Sequence, residues 1–585
     1  VKKLAYLCLL CWLCANAARA DDGIRWTNWS PAVFAQAKRE HRFVLLDLEA
    51  VWCHWCHVMD VNTYSRPAVI ALVKSNYIAV RVDQDARPDL AARYEDYGWP
   101  ATIVFNADGG EIVKRQGYLP PGEMTSMLKA IIADPSPGPT VHPAPTLHFQ
   151  PGLGLTPALR ESVKHKLIAG YDAKMGGWGF EQKYLNCDNV EYCLAHAREK
   201  DAPRSRFARQ TLHAQLQLID PAWGGVYQYS TDDDWKHPHF EKIMSMQAGD
   251  LRIYALAYTL WGDRAYLLAA QAIDRYLRDF LTSPDGAFYT SQDADLVEGQ
   301  HSSEYFKLDD ADRRNMGIPR VDRHIYAREK GWAIDALAEF SCVTGDSAAL
   351  NRALRAAEWI RANRALSDGG FRHDSHDVSG PYLGDTLAMA RAFLTLYEAS
   401  ADRAWLASAT QAADFISKTF AAQPGFNSAI EQDASFAPHP DYEENVQVAR
   451  FANMLFYYTG RKEYRTMAES AVKWTAAPEI AGRRFSDVGG VLLADEELNN
   501  EPVHLTVVGR KNDPQARALW DVARKIPTAY RRLEWFDPNE GPLPSQDVPY
   551  PTLPYAAAFF CDHGVCSSPI TNADALSKKI AQRVE

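Results

Sequence analysis

The sequence predicts two architectures in one chain: a small α/β domain, then an all-α domain whose helical hairpins close into an (α/α)6 toroid. Three observations carry this. Residues 29–132 alternate helix-patterned and strand-patterned stretches. Residues 134–154 are rich in Pro and Gly and read as an extended linker. From 155 onward a Gly-aromatic signature recurs between pairs of amphipathic segments, the mark of a repeat architecture. At 585 residues the chain also exceeds what one hydrophobic core supports.

The first twenty residues read as a signal peptide. Lys2 and Lys3 precede an apolar run, Leu4 to Leu13, and Ala18-Arg19-Ala20 offers a small-x-small cleavage site. The run is short for a bilayer span, and none of Cys8, Cys11 and Cys14 follows the small residue a lipid anchor would want. The expectation is an exported protein, periplasmic or secreted, with no membrane anchor after cleavage. The net charge of -11 and the absence of a basic run argue against nucleic acid as a partner.

The α/β domain is placed at 24–133. Ser30-Pro31 is a helix start, with Ser as N-cap and Pro at the first position. FVLLDLEA (43–50) is a buried strand by its continuous apolar run, and YIAVRVDQD (77–85) is a second. ATIVFN (101–106), Asp108-Gly109 and EIVKRQGY (111–118) make a hairpin, and PGEMTSMLKAII (121–132) a closing helix.

Directly after the first strand comes VWCHWCHVM (51–59). Its letters fit three chemistries: a redox dithiol, a covalent haem site (C-x-x-C-H) and half a zinc site. A fourth reading is a structural disulfide without turnover. The strand before it and a helix after it favour the dithiol. A cysteine at a helix N-terminus is stabilised as thiolate, because the helix dipole and free N–H groups face it. Cys53 is then the exposed nucleophile and Cys56 the resolving thiol, with His54 between them adding positive charge. No cofactor and no metal is expected.

The order of elements resembles the thioredoxin fold. That resemblance implies a buried acid at Asp47, which would move a proton to or from Cys56. It also implies a cis-proline at Pro100, in Trp99-Pro100, which would hold a partner chain against the sulfurs. WCHWCHVM, VDQDARPDLAARY (82–94), GWP (98–100) and YLPP (118–121) further resemble the spermatogenesis-associated protein 20 / YyaL-type family of thioredoxin-domain proteins, whose pattern runs CHWCHVM, VDREERPD, GGWP and YFPP.

In the region 155–500 the hairpins turn at Gly262-Asp263, Gly345-Asp346 and Gly460. The family's large domain is similar to six-hairpin glycosidases and sugar epimerases, and GGVYQYSTDDDWKHPHFEK (224–242), FYTSQDAD (288–295) and YLGDTLAMARAFLTLYEA (382–399) look like its motifs. Trp178, His237, His239, Glu241, Asp293, Asp295 and Asp385 are the candidate lining of a pocket on the toroid axis. Acids there suit acid–base work on a sugar, and an aromatic would stack on the ring. The chain departs from the family at Met246 and Gln247, at Arg328-Glu329-Lys330-Gly331-Trp332 and at Gly384.

Residues 501–585 are read as an extension packing on the toroid, with Cys561 and Cys566 close enough for a loop disulfide. Cys187, Cys193 and Cys342 are left without an assigned state. Two functions follow. One is an exported thiol–disulfide oxidoreductase with a protein thiol or disulfide as partner, its toroid binding substrate protein or glycan. The other is a carbohydrate-active enzyme or binding protein with a structural thioredoxin-like domain.

Overall fold

The computed structural model describes residues 23–95, 98–142, 145–197, 203–377, 379–430 and 437–584. The leader, residues 1–20, lies outside the described residues. The described chain forms two compact units: residues up to 83 with 98–142, and residues 84–95 with 145–584.

The first unit is built on a four-stranded sheet. Helix α1 (Pro31–Glu40) leads into β1 (Phe43–Glu49), which is followed by α2 (His54–Met59), α3 (Pro67–Asn76) and β2 (Tyr77–Asp83). After the excursion of 84–95 into the second unit, which carries α4 (Pro88–Tyr94), the chain returns as β3 (Ala101–Phe105), β4 (Glu111–Gln116) and α5 (Pro121–Ala133). The sheet order is β2-β1-β3-β4. β1 is parallel to β2 and antiparallel to β3, and β3 is antiparallel to β4. β1 is central and buried on both faces, which is why it reads as one continuous apolar run broken only by Asp47. Ser30 takes the N-cap position of α1, but its side chain makes no capping bond. Helix α3, with Pro67 in its first turn, was not separated from its surroundings in the sequence.

Residues 134–156 carry neither helix nor strand among those described. The second unit then runs as α6 (Pro157–Ala169), α7 (Cys187–Ala195), α8 (Pro203–Gln215), α9 (Met244–Trp261), α10 (Arg264–Phe280), α11 (Ala327–Thr344), α12 (Ser347–Asn363), α13 (Leu383–Ser400), α14 (Arg403–Thr419), α15 (Tyr442–Thr459), α16 (Lys462–Thr475) and α17 (Gly489–Asn499). Helices α7, α9, α11, α13, α15 and α17 pack in a closed ring, each on the next and α17 back on α7. Each of the first five is backed by the helix after it in sequence, and α17 by α6. The last hairpin is therefore assembled from the two ends of the region, and the result is an (α/α)6 toroid. Close crossings permit it: a Cβ on Gly331 of α11 would lie 2.5 Å from the backbone of Ala388 on α13.

The hairpin turns share one construction. Gly262 and Gly345 cap their helices in the left-handed region (φ 66° and 77°), and Asp263 and Asp346 N-cap the next helix through their side chains. The α13–α14 turn repeats this with Ala401 at φ 57° and Asp402 as N-cap.

Residues 503–584 form a second α/β layer: β5 (Val503–Val508), α18 (Pro514–Ala523), β6 (Arg531–Phe536), β7 (Ala557–Asp562), β8 (Val565–Cys566) and α19 (Ala573–Val584). Its order is β6-β5-β7-β8. β5 is parallel to β6, and β7 is antiparallel to both β5 and β8. Order and directions are those of the first sheet. Edge strand β6 docks on the C-terminal ends of the inner helices: buried Arg531 pairs with Glu339 of α11 and Glu398 of α13. Cys561 and Cys566 are joined by a disulfide across β7 and β8. Cys193 and Cys342 are free and buried, and Cys187 is free and partly buried.

Candidate functional site

In the first unit, the loop from β1 delivers Cys53 to the N-cap of α2. Its Sγ accepts the Cys56 backbone N–H at 3.1 Å, and the two cysteines are joined by a disulfide with their Cα atoms 5.3 Å apart. Cys53 is not the exposed sulfur that the sequence suggested. Both sulfur-bearing residues are 3% accessible, while Trp55 between them is 39% exposed. His54 is buried, its ring edge-on to Trp55 at 5.3 Å. The Trp99–Pro100 bond is cis and leads directly into β3.

Asp47 sits mid-strand on β1, level with Arg81 of β2 and Thr102 of β3. It is buried and ion-paired with Arg81 at 3.0 Å. Glu49 meets the same guanidinium at 3.3 Å, Asp60 caps its other edge, and the ring of Trp26 lies 4.2 Å beneath it. Burial pushes the Asp47 carboxyl up to about 6, with Arg81 opposing. Burial, then repulsion from Asp47, pushes Glu49 up to about 8. The three carboxylates lie within 4.8 Å of one another, a spacing that suits a metal ion, but Arg81 supplies the cation that holds them together. Asp47 is thus a titrating acid near neutrality held in a four-member charge cluster; sequence reasoning found Asp47 alone.

The toroid candidates are distributed differently from the expectation. Trp178 is a core residue whose indole donates to the Leu167 carbonyl at 2.8 Å. His237 is exposed beside Asp234. His239 stacks on Tyr229 at 4.4 Å, and Glu241 is buried. Asp293 accepts the Asp295 N–H, and Asp295 accepts that of Gly299, both shaping one loop. Asp385 accepts from His373 Nδ1 at 2.8 Å and from the Arg328 N–H at 2.9 Å. The carboxylate pushes His373 up to about 9 despite burial, and His373 Nε2 reaches the Asp85 carbonyl at 2.7 Å.

None of the seven lines the cavity on the toroid axis. That cavity, of about 450 Å³, is walled by the inner helices from their first turns, with Asp188 and Glu443, to their third, with Arg252, Asp335 and Arg391; Trp332 is also on its wall. Six of the seven stand between the helices and Asp385 in the first turn of α13, whereas the cavity is walled by other positions of the inner helices. The missed signal was charge inside apolar helices: Arg252, Asp335 and Arg391 interrupt otherwise hydrophobic runs.

Fold and site define a class: a thioredoxin-like domain carrying a C-x-x-C disulfide, joined to an (α/α)6 toroid. Known proteins resemble this chain as follows. Residues 16–133 match the family model Thioredox_DsbH, described as a protein of unknown function, DUF255. Spermatogenesis-associated protein 20 of Homo sapiens is 22% identical over 709 aligned positions, spanning 96% of this chain and 90% of that protein. A thioredoxin of Mycoplasmoides gallisepticum is 30% identical over 86 residues, 15% of this chain and 81% of that one. A solved sugar epimerase from a ruminal bacterium aligns with 54% of this chain and 86% of its own at 13% identity, with a TM-score of 0.42. The first domain is thioredoxin-like, and the chain is similar to spermatogenesis-associated protein 20 over most of its length.

Proposed function

We propose that the protein is an exported thiol–disulfide oxidoreductase that uses Cys53 and Cys56 on a protein partner. The observation that carries this is the placement of Cys53: N-cap of α2, its sulfur receiving the Cys56 N–H and bonded to the Cys56 sulfur. The same N–H that reaches the sulfur of the disulfide would stabilise its thiolate after reduction.

In the reducing direction, Cys53 thiolate attacks a partner disulfide, forming a mixed disulfide and releasing one partner thiolate. Cys56, as thiolate, then attacks the Cys53 sulfur, releasing the second partner thiolate and leaving the Cys53–Cys56 disulfide. Two electrons pass to the partner, and reversal oxidises a partner dithiol. Asp47, titrating near neutrality, takes the proton from Cys56 or returns it. Pro100 lies against the partner segment. The leader at 1–20 supports an oxidising compartment, where such a couple has substrates.

The test is a redox titration of the protein against glutathione mixtures, followed by thiol alkylation, with Cys53→Ser as control. A reversible two-electron couple between about -120 and -270 mV is expected. A potential below about -300 mV would make the disulfide structural and overturn the reading.

A further inference from the structure

The disulfide of the C-terminal layer ends a polar row. Strand register sets Arg532 of β6 opposite His504 of β5, His504 opposite Cys561 of β7, and Cys561 opposite Cys566 of β8. Opposed residues share a face, so the four side chains cross the sheet in line. His504 Nε2 lies 2.9 Å from Glu534, 3.0 Å from Thr506 and 3.3 Å from Tyr550. The Tyr550 hydroxyl lies 2.7 Å from that of Thr506 and 3.9 Å from the Cys561 sulfur. The charges around it are matched: Glu534 is met by Arg532 at 2.9 Å, and Arg532 by Asp547 at 2.6 Å.

This network has a direction. His504 donates its Nε2–H to the Glu534 carboxylate, the Thr506 hydroxyl donates to the Tyr550 oxygen, and Tyr550 donates to the Cys561 sulfur. In that order each of the three hydrogens has an acceptor. Tyr550 keeps its proton, because burial, then the Glu534 charge, push its hydroxyl above the ordinary range. A disulfide sulfur is a weak acceptor and gains little from a phenol, whereas a thiolate is a strong one. The two ends of the bridge also differ in access. Cys561 is buried, while Cys566 is half-buried beside an exposed hairpin tip, residues 562–565.

The alternative is a bridge that only staples the hairpin. The entropy a bridge removes falls with the length of the loop it closes. Here the cysteines are five positions apart, and the pairing of β7 with β8 already closes that loop. A staple is also best set in apolar surroundings, and Val508, Val548, Ala557 and Phe559 provide them on this side of the sheet. The buried sulfur is nevertheless met by a phenol held in place by Thr506.

From the row, the donor on the buried sulfur and the accessible partner cysteine, we infer that Cys561–Cys566 is a second thiol–disulfide exchange site, open to an external dithiol at Cys566. One thiolate of the dithiol attacks the Cys566 sulfur. A bond forms between them as the Cys561–Cys566 bond breaks, and Cys561 leaves as thiolate against the Tyr550 hydroxyl. The second thiolate then attacks the first sulfur of its own molecule, closing the partner's disulfide and releasing Cys566 as thiolate. Two electrons pass to the pair, and the two protons given up by the partner's thiols reach Cys561 and Cys566 through water. This goes beyond the Cys53–Cys56 reading and does not depend on it.

The experiment equilibrates the native full chain with glutathione mixtures, alkylates it, and reads each cysteine pair by peptide mass spectrometry, so that the two disulfides are scored separately. Cys561 and Cys566 are expected to be reduced reversibly by glutathione, which structural bridges resist. At intermediate ratios glutathione should be found on Cys566. Tyr550→Phe keeps the ring and removes the donor, and should lower the equilibrium constant for reduction at least fivefold, with an unchanged circular dichroism spectrum. A pair that stays oxidised until the chain unfolds, glutathione found on Cys561 instead, or a smaller change in folded Tyr550→Phe would each overturn the assignment. The first two outcomes are read on the parent chain and need no variant.

Discussion

Asp513 stands at the N-cap of α18 as Cys53 stands at the N-cap of α2. In both sheets the first strand pairs with the third over five residues, Val44–Leu48 with Ala101–Phe105 and His504–Val508 with Ala557–Cys561. Five positions after Leu48 comes Cys53, and five after Val508 comes Asp513. Both cap by accepting a backbone N–H, Cys53 from Cys56 and Asp513 from Gln515. The same register puts Ala516 at the place of Cys56, Val507 at that of Asp47, Trp535 at that of Arg81 and Ala556 at that of Pro100. The C-terminal layer repeats the first sheet's topology with every redox position replaced.

That equivalence can be tested by restoring the sulfurs. The double substitution Asp513→Cys with Ala516→Cys should create a second bonded pair. Mass spectrometry after alkylation should find two protected cysteines more than in the parent under oxidising conditions, both released by reductant. Two freely alkylated thiols in the oxidised, folded variant would refute the match.

The Asp47–Glu49–Asp60–Arg81 cluster predicts a pH dependence with a definite sign. Both raised carboxyls bind more protons folded than unfolded, so stability falls as pH rises, from about 4 to 6 for Asp47 and from about 4.5 to 8 for Glu49. Glu49→Gln removes the larger part. Its Tm at pH 9 should lie closer to its Tm at pH 5 than is the case for the parent, read by differential scanning calorimetry. An unchanged difference would show that Glu49 ionises normally.

His373 and Asp385 predict a loss of the same sign in a higher pH window. The raised histidine contributes stability that is complete below its unfolded value near 6.5 and is lost as pH rises toward about 9. His373→Leu leaves Asp385 buried without its partner, and should cost about 3–5 kcal/mol at pH 6. Chemical denaturation at pH 6 and pH 9.5 checks this; the deficit should shrink at the higher pH, where the parent has lost the same charge.

Two single substitutions test the toroid's geometry. Ala401→Gly relieves a left-handed residue at an Asp-capped hairpin turn built without glycine and should stabilise by up to about 1 kcal/mol. Gly331→Ala forces a methyl group into the Ala388 backbone and should destabilise by about 1–3 kcal/mol. Urea midpoints of the helical unit decide both, and a neutral Gly331→Ala would mean that α11 and α13 can separate.

The sequence by itself determined the elements whose causes are local. Continuous apolar runs marked β1 and β2, Gly-Asp pairs marked the hairpin turns, and the C-x-x-C announced its own chemistry. Each depends on neighbours a few residues away. Tertiary structure alone decided what depends on closure. Asp188, Arg252, Asp335, Arg391 and Glu443 are scattered over more than 250 residues and meet only because six inner helices form a ring. Arg81 becomes the partner of Asp47 only through strand pairing, and α17 finds α6 only when the ring shuts. The second sheet stayed hidden although three of its strands are six residues long, because its order is set by hydrogen bonds between strands and by no periodicity along the chain.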